Sequence, residues 1–566
     1  MSSHPTAVQA PAESRTTLQT GDEATLNVRG DDDASRLREP ASADEKTVDI
    51  NENPNTTITQ NDDDPEKAKP ASSSATISSQ PMLGVKTPED PENIVGWDGP
   101  DDPENPYNWP AWRKVANCGA ISALTFVTPL ASSMFAPGIP LLMREFESRS
   151  TTLASFVVSV FVLGFAAGPL LCAPLSEIYG RLPVYHICNV LFVIFNIACA
   201  LAPNMSALIV FRFLAGAVGS APLTIGGGTI ADMIVQEKRG GAMAVFSIGP
   251  LLGPIIGPVG GGFFAEAAGW RWVFWLLAIL SGIISIVMFF VLRESYAMIL
   301  LKRRTERLRK ETGNQDLRSK LDPGLSPTDF FKRGIIRPLK MLAKSPITQI
   351  FAVYIAIAYG YLYLMFTSIT QVFIQYYGFT PGTAGLAFLG LGVGSLLGLA
   401  FFAVFSDRWL KRKAAQEKAA ALAAGREPGP LKPEPRLITL PFGAILLPAG
   451  LFWYGWAANN GATHWIVPII GTAVVGLGNL VIFLALQMYL VDAFAMYAAS
   501  ALAANTVARS IAGAFLPMAG LPMYEKLGLG WGNSLLAFVA IAMIPVSLLI
   551  IKYGELLRTK YEVKNL

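Results

Sequence analysis

Twelve apolar runs, each near the ~20 residues that carry a helix across a bilayer core, constrain this 566-residue chain more than anything else in it. They fall at about Val115–Leu142, Thr152–Leu175, Pro183–Leu201, Ala207–Met233, Gly241–Ala265 and Trp270–Leu292. After a polar stretch from Arg293 to Lys344 come about Pro346–Thr370, Thr383–Phe405, Arg436–Trp456, Trp465–Leu486, Ala499–Met518 and Trp531–Ile551. Backbone in hydrocarbon must satisfy its own hydrogen bonds, so runs of this length read as helices. The expected fold is all-α and integral to the membrane, twelve crossings in two sets of six.

Charge divides the chain further. Residues 1–108 hold 22 Asp and Glu against 8 Lys and Arg, net about −14, and the remainder is net about +17, which the formal +3 conceals. The first stretch, rich in Ser, Thr, Asp, Asn and Pro, has too little apolar surface to offset its chain entropy, so 1–95 read as a disordered tail. Asp31-Asp32-Asp33 and Asp62-Asp63-Asp64 read as solvated charge in preference to a cation site, and many hydroxyls leave phosphorylation open. No apolar run near Met1 could act as a cleaved signal, so the first crossing supplies targeting. Asn105-Pro106-Tyr107-Asn108-Trp109-Pro110, with rings suited to the interface, marks the boundary.

Basic residues collect in cytoplasmic loops. Arg293–Lys344 has 14 and Ser406–Pro435 has 7, whereas Ala202–Ser206, Tyr376–Gly382 and Ala457–His464 have none. Both termini are thus expected in the cytoplasm. The expected organisation is a tail over 1–95, a first half over 96–292, a central loop over 293–345 and a second half over 346–566. Lys302 to Lys310 reads as a short amphipathic segment at the membrane surface, where bases can also meet anionic lipid.

Several chemistries have no support. Cys118, Cys172, Cys188 and Cys199 lie in or at the apolar runs, so neither a disulfide framework nor a zinc site is indicated. His4, His186 and His464 have no spacing that suggests a metal or a catalytic triad, and no phosphate-binding Gly-Lys-Ser/Thr loop is present. Catalysis, metal and organic cofactor are therefore not expected. Asn204-Met205-Ser206 is a glycosylation sequon in a loop so short that it is expected to stay unused.

The fifth run is unusual: Gly249-Pro250-Leu251-Leu252-Gly253-Pro254-Ile255-Ile256-Gly257-Pro258-Val259-Gly260-Gly261-Gly262. Each interior proline removes a backbone donor, and each glycine removes the side chain that would hold a neighbour away. The residues leave two readings open. One is a helix-packing surface of small residues at four-residue spacing; the other is a hinge between two packed halves, at Gly249, Gly253, Pro254, Gly257, Pro258 and Gly261.

After the second run, Gly168-Pro169-Leu170-Leu171-Cys172-Ala173-Pro174-Leu175-Ser176-Glu177-Ile178-Tyr179-Gly180-Arg181 resembles the signature loop of the major facilitator superfamily, its acidic-x-x-Gly-Arg core at Glu177, Gly180 and Arg181. Ser406-Asp407-Arg408-Trp409-Leu410-Lys411-Arg412, at the matching place in the second half, resembles its degenerate copy. Leu208-Ile209-Val210-Phe211-Arg212-Phe213-Leu214-Ala215-Gly216 resembles the span-four motif, and the Gly-Pro run the antiporter motif of span five. Together with Asn105-Pro106-Tyr107-Asn108-Trp109, Trp270–Trp275 and Tyr489-Leu490-Val491-Asp492-Ala493, the region from about 104 to 555 resembles the fungal twelve-span drug:proton antiporters. Ala173, Ile178, Leu182, Ala215 and Pro258 depart from the usual patterns.

The resemblance implies two pseudo-symmetric six-helix bundles that rock about a central site, a proton moving inward driving a lipophilic drug, toxin or secondary metabolite outward. It implies no cofactor beyond the proton gradient, a plasma-membrane location with the vacuolar membrane as alternative, and no nucleic-acid partner. The protein is expected to work as a monomer. An ionisable residue inside the membrane is a functional candidate. Arg212 is the first-half candidate; since arginine keeps its proton its role would be to tune a partner, the competing reading being an arginine that hydrogen-bonds helix carbonyls to hold spans together. Asp232 lies about 30 Å along the same helix, too far to pair with it, and is expected to gate by pairing with Arg181 or an adjacent base in one of the two states, a direct protonation role being the alternative. Glu177, Asp407, Arg408, Asp492 and Arg509 complete the coupling and gating candidates.

Run seven carries an aromatic load, Tyr354, Tyr359, Tyr361, Tyr363, Phe366, Phe373 and Tyr376, with Gln371 and Gln375. Aromatic faces bind flat apolar molecules and attract organic cations. Substrate-binding candidates are Tyr361, Tyr363, Phe366 and Gln371, with Phe126, Met134 and Phe135 of run one, Asn479, Phe483 and Gln487 of run ten, and Asn505 of run eleven. The competing readings are a polyamine exporter, disfavoured because the runs carry almost no carboxylate, a nutrient uptake transporter, and a non-transporting receptor.

Overall fold

Each apolar run becomes helix. In the computed structural model, residues 93–235, 238–322, 324, 326–423, 425, 433–461, 463–494 and 497–560 are described, apart from the side chains at 240, 244 and 407. The expected tail through residue 92, with both Asp triplets, lies outside the described residues. In the first half, α1 (Ala111–Ser133) continues past a 3-10 turn into α2 (Ile139–Glu145), followed by α3 (Thr151–Tyr179), α4 (Arg181–Ala200), α5 (Met205–Gly219) with its continuation α6 (Ala221–Met233), α7 (Arg239–Ala268) and α8 (Trp270–Val291). The central segment forms α9 (Ala297–Thr312) and α10 (Pro327–Lys344). The second half is α11 (Pro346–Tyr377), α12 (Pro381–Leu386) leading into α13 (Phe388–Ala423), α14 (Leu440–Ala457), α15 (Ile466–Phe494) and α16 (Ala498–Lys560).

Eleven helical stretches among the described residues are long and apolar enough to cross a membrane. The last, α16, has 63 residues. At ~1.5 Å per residue it would reach about 95 Å, some three core thicknesses, so it cannot be one crossing. Its chain reverses at Gly528, whose φ of 74° and ψ of 167° lie outside helical space and are open to glycine. Two crossings meet there, which restores the twelve read from hydropathy. Arg436, expected to open the ninth crossing, instead lies in a 3-10 turn, Glu434–Thr439, ahead of α14.

Side chains gain nothing from leaving lipid for another apolar surface, so the halves are held by close van der Waals approach. A Cβ on Gly216 of α5 would stand 2.0 Å from the Phe161 carbonyl of α3, and one on Gly394 of α13 would stand 1.8 Å from the Ala473 carbonyl of α15. Helix α7 is continuous through Pro250, Pro254 and Pro258. Its stripe Gly249, Gly253, Gly257 and Gly261 lies directly on α1, against Phe126, Leu130, Ser133 and Met134. The four-residue spacing is thus a packing face within the first half. Other positions of the same helix meet the second half: Pro258 and Val259 on Gly385, Gly262 on Pro381, and Ile255 on Gly392.

Alternation of the crossings puts α9, α10 and the chain entering α1 at one end of the bundle, here the basic end. Contacts between halves run from the middle toward the opposite end. Ser159 of α3 donates to the Ala514 carbonyl at 2.6 Å, Ser132 of α1 and Tyr363 of α11 share a hydroxyl contact of 3.1 Å, and Gly382 N–H donates to Glu266 at 2.8 Å. At the basic end α6 packs on first-half helices and α15 on second-half ones. Helix α10 spans them there, with Gly334 seated on Pro174 of α3 and Arg337 over the Tyr497 ring at 5.8 Å.

The described residues ahead of α1 form a strap. The short strand β1 (Ile94–Val95) pairs in parallel with β2 (Arg318–Ser319). Asp102 is almost fully buried; it accepts from the N–H groups of Asp98 and Glu104 at 2.9 and 2.8 Å and pairs with Arg304 of α9 at 2.6 Å. Arg304 also pairs with Asp98, and Arg307 with Glu104 at 2.9 Å. Of the bases expected in the amphipathic segment Lys302–Lys310, Arg304 and Arg307 are thus paired with the strap that precedes α1. Burial alone would push the Asp102 carboxyl up, but those two N–H groups and Arg304 together hold it below its ordinary 3.8. Its contribution to stability is therefore full at neutral pH and lost as pH falls below about 4 through the folded value.

Two outcomes follow. Gly261→Ala drives a Cβ to 1.9 Å from the Met134 carbonyl, whereas Gly260→Ala meets nothing within 4 Å. The first should lose roughly 1–3 kcal/mol, seen as a lower unfolding temperature in detergent, and the second should be neutral. Asp102→Asn replaces an acceptor by a donor facing Arg304 and the Asp98 N–H, and should weaken the strap by about 1–3 kcal/mol. Limited proteolysis should then cut residues 93–110 faster while α1 stays protected.

Candidate functional site

At the basic end, Gly180 breaks the chain between α3 and α4 with a φ of 101°, and a side chain there would collide with the Glu294 carboxylate at 2.3 Å. Glu294 uses that space to accept from the N–H groups of Arg181 and Leu182 at 3.0 and 3.1 Å, capping α4 with negative charge where its dipole is positive. Arg181, 8% exposed, donates through Nε to Asp232 Oδ2 at 3.1 Å and through Nη1 to Ser176 at 2.7 Å, and lies over the Tyr296 ring at 4.5 Å. Burial pushes the Tyr296 phenol up to about 12, so the ring stays neutral under the guanidinium. Half-buried Glu177 lies in the field of Arg181, Asp232 and Arg337. The expected Arg181–Asp232 pair is therefore present, within the first half.

Glu294 was not legible as a site residue, since its place after an apolar run looks like an ordinary helix end. Tyr107 joins the cluster by donating to the Ala231 carbonyl at 3.1 Å, one residue from Asp232. In the second half, Asp492 accepts from Arg436 Nε at 2.9 Å, more openly. Arg408 is exposed on α13, and the Asp407 side chain lies outside the description.

Mid-bundle, Arg212 is 1% exposed. Its Nη2 donates to the carbonyls of Ser132 and Val158, both at 3.3 Å, and its guanidinium lies over Phe135, Phe161 and Phe274 at 5.3, 5.2 and 5.5 Å. A cation at this depth costs at least about 2.5–3.5 kcal/mol, and three desolvated ring contacts with two carbonyls offset that. No carboxylate pairs with it among the described residues. Arg212 ties α5 to α1, α3 and α8.

Its second-half counterpart in depth is Arg509. The guanidinium lies over the Tyr359 ring of α11 at 5.0 Å and the Phe483 ring of α15 at 5.1 Å, and Nε is buried with no hydrogen-bond partner among the described residues. One turn earlier, Asn505 is 1% exposed with both amide atoms equally unpartnered; one turn beyond Phe483, Gln487 Oε1 is buried and unpartnered too. Gly513 admits the Tyr359 ring, 2.9 Å from where a Cβ would stand. Arg509 and Phe483 thus meet, with Asn505 one helical turn before the first and Gln487 one turn after the second.

Other candidates are occupied elsewhere. Tyr361 donates to the Leu536 carbonyl at 2.9 Å and Asn479 to the Ala358 carbonyl at 2.6 Å, both inside the second half. Phe135 serves Arg212, Met134 backs onto Gly261, and half-buried Phe126 packs at Gly249. Tyr363 and Phe366 form a ring chain with Tyr359 and Phe388, centroids 5.0 to 5.8 Å apart, on the seam between halves. Gln371 is exposed. The Asn204 side chain is engaged in capping α5, its Oδ1 accepting from Ala207 N–H at 2.9 Å.

Comparisons with known proteins agree with this architecture. Residues 121–517 match the Major Facilitator Superfamily. The MFS-type transporter tndD of Aspergillus flavipes is 58% identical over 83% of this chain and 86% of its own. The efflux pump radE of Floropilus chiversii is 49% identical over 91% and 94%. A D-xylose-proton symporter crystal structure superimposes with a TM-score of 0.56 at 15% identity, over 76% of this chain and 96% of its own, which speaks to fold alone. The chain belongs to the Major Facilitator Superfamily and is a multi-pass membrane transporter, not an enzyme.

Proposed function

We propose that the protein exports small lipophilic metabolites, toxins or drugs by alternating access, driven by protons moving inward, with the basic end and both termini in the cytoplasm of a plasma-membrane monomer. The observation that carries the transport reading is the one-sided seam: span-to-span contacts between the halves run from the middle to the opposite end, while α10 bridges them at the basic end. That is the arrangement of a carrier closed on one side and able to rock toward the other. Export as the direction is supported by a relative named as an efflux pump, 49% identical over 91% of this chain. Proton coupling is supported by Asp232, the single carboxylate within the twelve apolar runs, held at 3.1 Å by Arg181. Protonation there would weaken the pair and alter the basic end.

Accumulation of a panel of fluorescent lipophilic compounds tests this in cells expressing equal surface amounts of wild type, Arg212→Ala and Asp232→Asn, with and without an uncoupler. Wild type should lower accumulation, and the uncoupler should abolish the effect. Asp232→Asn, which leaves Arg181 uncompensated, should slow export about ten-fold or more, and Arg212→Ala should eliminate it. Raised accumulation in wild-type cells would reverse the direction and make the protein an importer; export indifferent to the uncoupler would remove the proton.

A further inference from the structure

We infer that the central site selects organic anions, acidic molecules with a flat conjugated body, and that Arg509 with Asn505 is the point at which the acidic group is held. The inference rests on the reading of the chain as a carrier of small organic molecules but not on the direction of transport.

The starting point is the sign of the charge at mid-membrane. The twelve apolar runs hold two deep cations, Arg212 and Arg509, and their one carboxylate, Asp232, lies at the basic end paired with Arg181. An arginine keeps its proton in any protein environment, so this positive charge is permanent. Glu266, the carboxylate on the seam, is engaged with Gly382 N–H at the end opposite the basic one, so a cationic drug at mid-membrane would meet two guanidiniums, whereas an anion meets complementary charge in a medium that screens it little.

The aromatic faces point the same way. Open rings would favour a cation. Those of Tyr359 and Phe483 already face the Arg509 guanidinium, at 5.0 and 5.1 Å, and those of Phe135, Phe161 and Phe274 face Arg212. What the second-half cluster presents is therefore the hydrogen-bonding rim of a guanidinium.

The two arginines differ in availability. Arg212 is 1% exposed; its Nη2 donates to two helix carbonyls, and its Nε, like that of Arg509, has no partner among the described residues. Arg509 is only half-buried, and its Nε lacks a partner among the described residues. A turn away, Asn505, 1% exposed, has both amide atoms unpartnered. Leaving such groups unsatisfied costs about as much as losing the bonds they could make, so they are rare unless something else completes them. A carboxylate, enolate or similar oxyanion completes both: a charge-assisted pair with the guanidinium and one bond from the Asn505 amide. The ring chain Tyr359, Tyr363 and Phe366, on the adjoining seam, offers a flat surface for the conjugated body.

Three probes that share an anthracene ring and differ only in the head group test this: anthracene-9-carboxylate, 9-anthracenemethanol and 9-anthracenemethylammonium. Their fluorescence is titrated near neutral pH with full-length protein in lipid nanodiscs, empty nanodiscs being subtracted. The carboxylate should bind about ten-fold or more tighter than the alcohol, and the ammonium weakest. Arg509→Gln should bring the carboxylate to the level of the alcohol without changing the alcohol, and Arg509→Lys should keep an anion preference. Equal or weaker binding of the carboxylate to wild type, including no binding of any probe, overturns the inference, as does an unchanged preference in folded Arg509→Gln. The wild-type ranking decides even if that variant does not fold. A finding of import in cells would leave this ranking standing, and a failed ranking would leave export standing.

Discussion

Everything in this structure depends on how closely two helices can approach in a solvent that does not push them together. In lipid, contact has to come from dispersion and from the absence of side chains, and the chain supplies glycine wherever backbones touch. The clearest case is α7, one helix with two roles: its stripe from Gly249 to Gly261 fixes it to α1, while Ile255, Pro258, Val259 and Gly262 meet the second half. The first contact is backbone on backbone and holds a half together. The second falls on the seam that a rocking carrier would open. Contacts within the half and contacts between the halves are thus assigned to different sides of the same helix.

The same medium dictates where charge can stand. Low polarizability makes an isolated ion expensive, and each deep ion here is met by one of two solutions. Arg181 is given a carboxylate, a hydroxyl and a ring at the basic end, where water is near. Arg212 is given three rings and two carbonyls but no acid, which keeps its charge uncancelled. Pairing makes a contact that protons can modulate, whereas ring solvation leaves a permanent field.

Hydropathy made the twelve crossings legible because the requirement for self-satisfied backbone is so strict, and even the fused α16 was already divided by the polar and glycine residues around Gly528. The Arg181–Asp232 pair was legible because the depths of both residues follow from helix length. The orientation of side chains was not. Tyr361 and Tyr363 stand two residues apart in one aromatic run, yet one is bound to Leu536 inside the second half and the other to Ser132 across the seam. Hydropathy does not distinguish those faces. Glu294 and the Asp102 strap escaped for another reason: their partners, at Gly180–Leu182 and Arg304, are more than a hundred residues away in sequence.

At the basic end these long-range contacts form one connected chain. The strap binds α9 through Asp102 and Arg304, Glu294 just before α9 caps α4, Arg181 at the start of α4 holds Asp232, and Tyr107 of the strap returns to Ala231 beside it. These contacts join the first half to the α9 part of the central segment and involve no residue of the second half, so rocking of the halves as units can leave every one of them intact. Helix α10, seated on Pro174 and reaching Tyr497, joins this end of the first half to the second. Any closure of the seam there brings α6 toward α15 and must change how α10 lies between them. The central segment therefore lies where the two halves face each other at the basic end, α10 touching both.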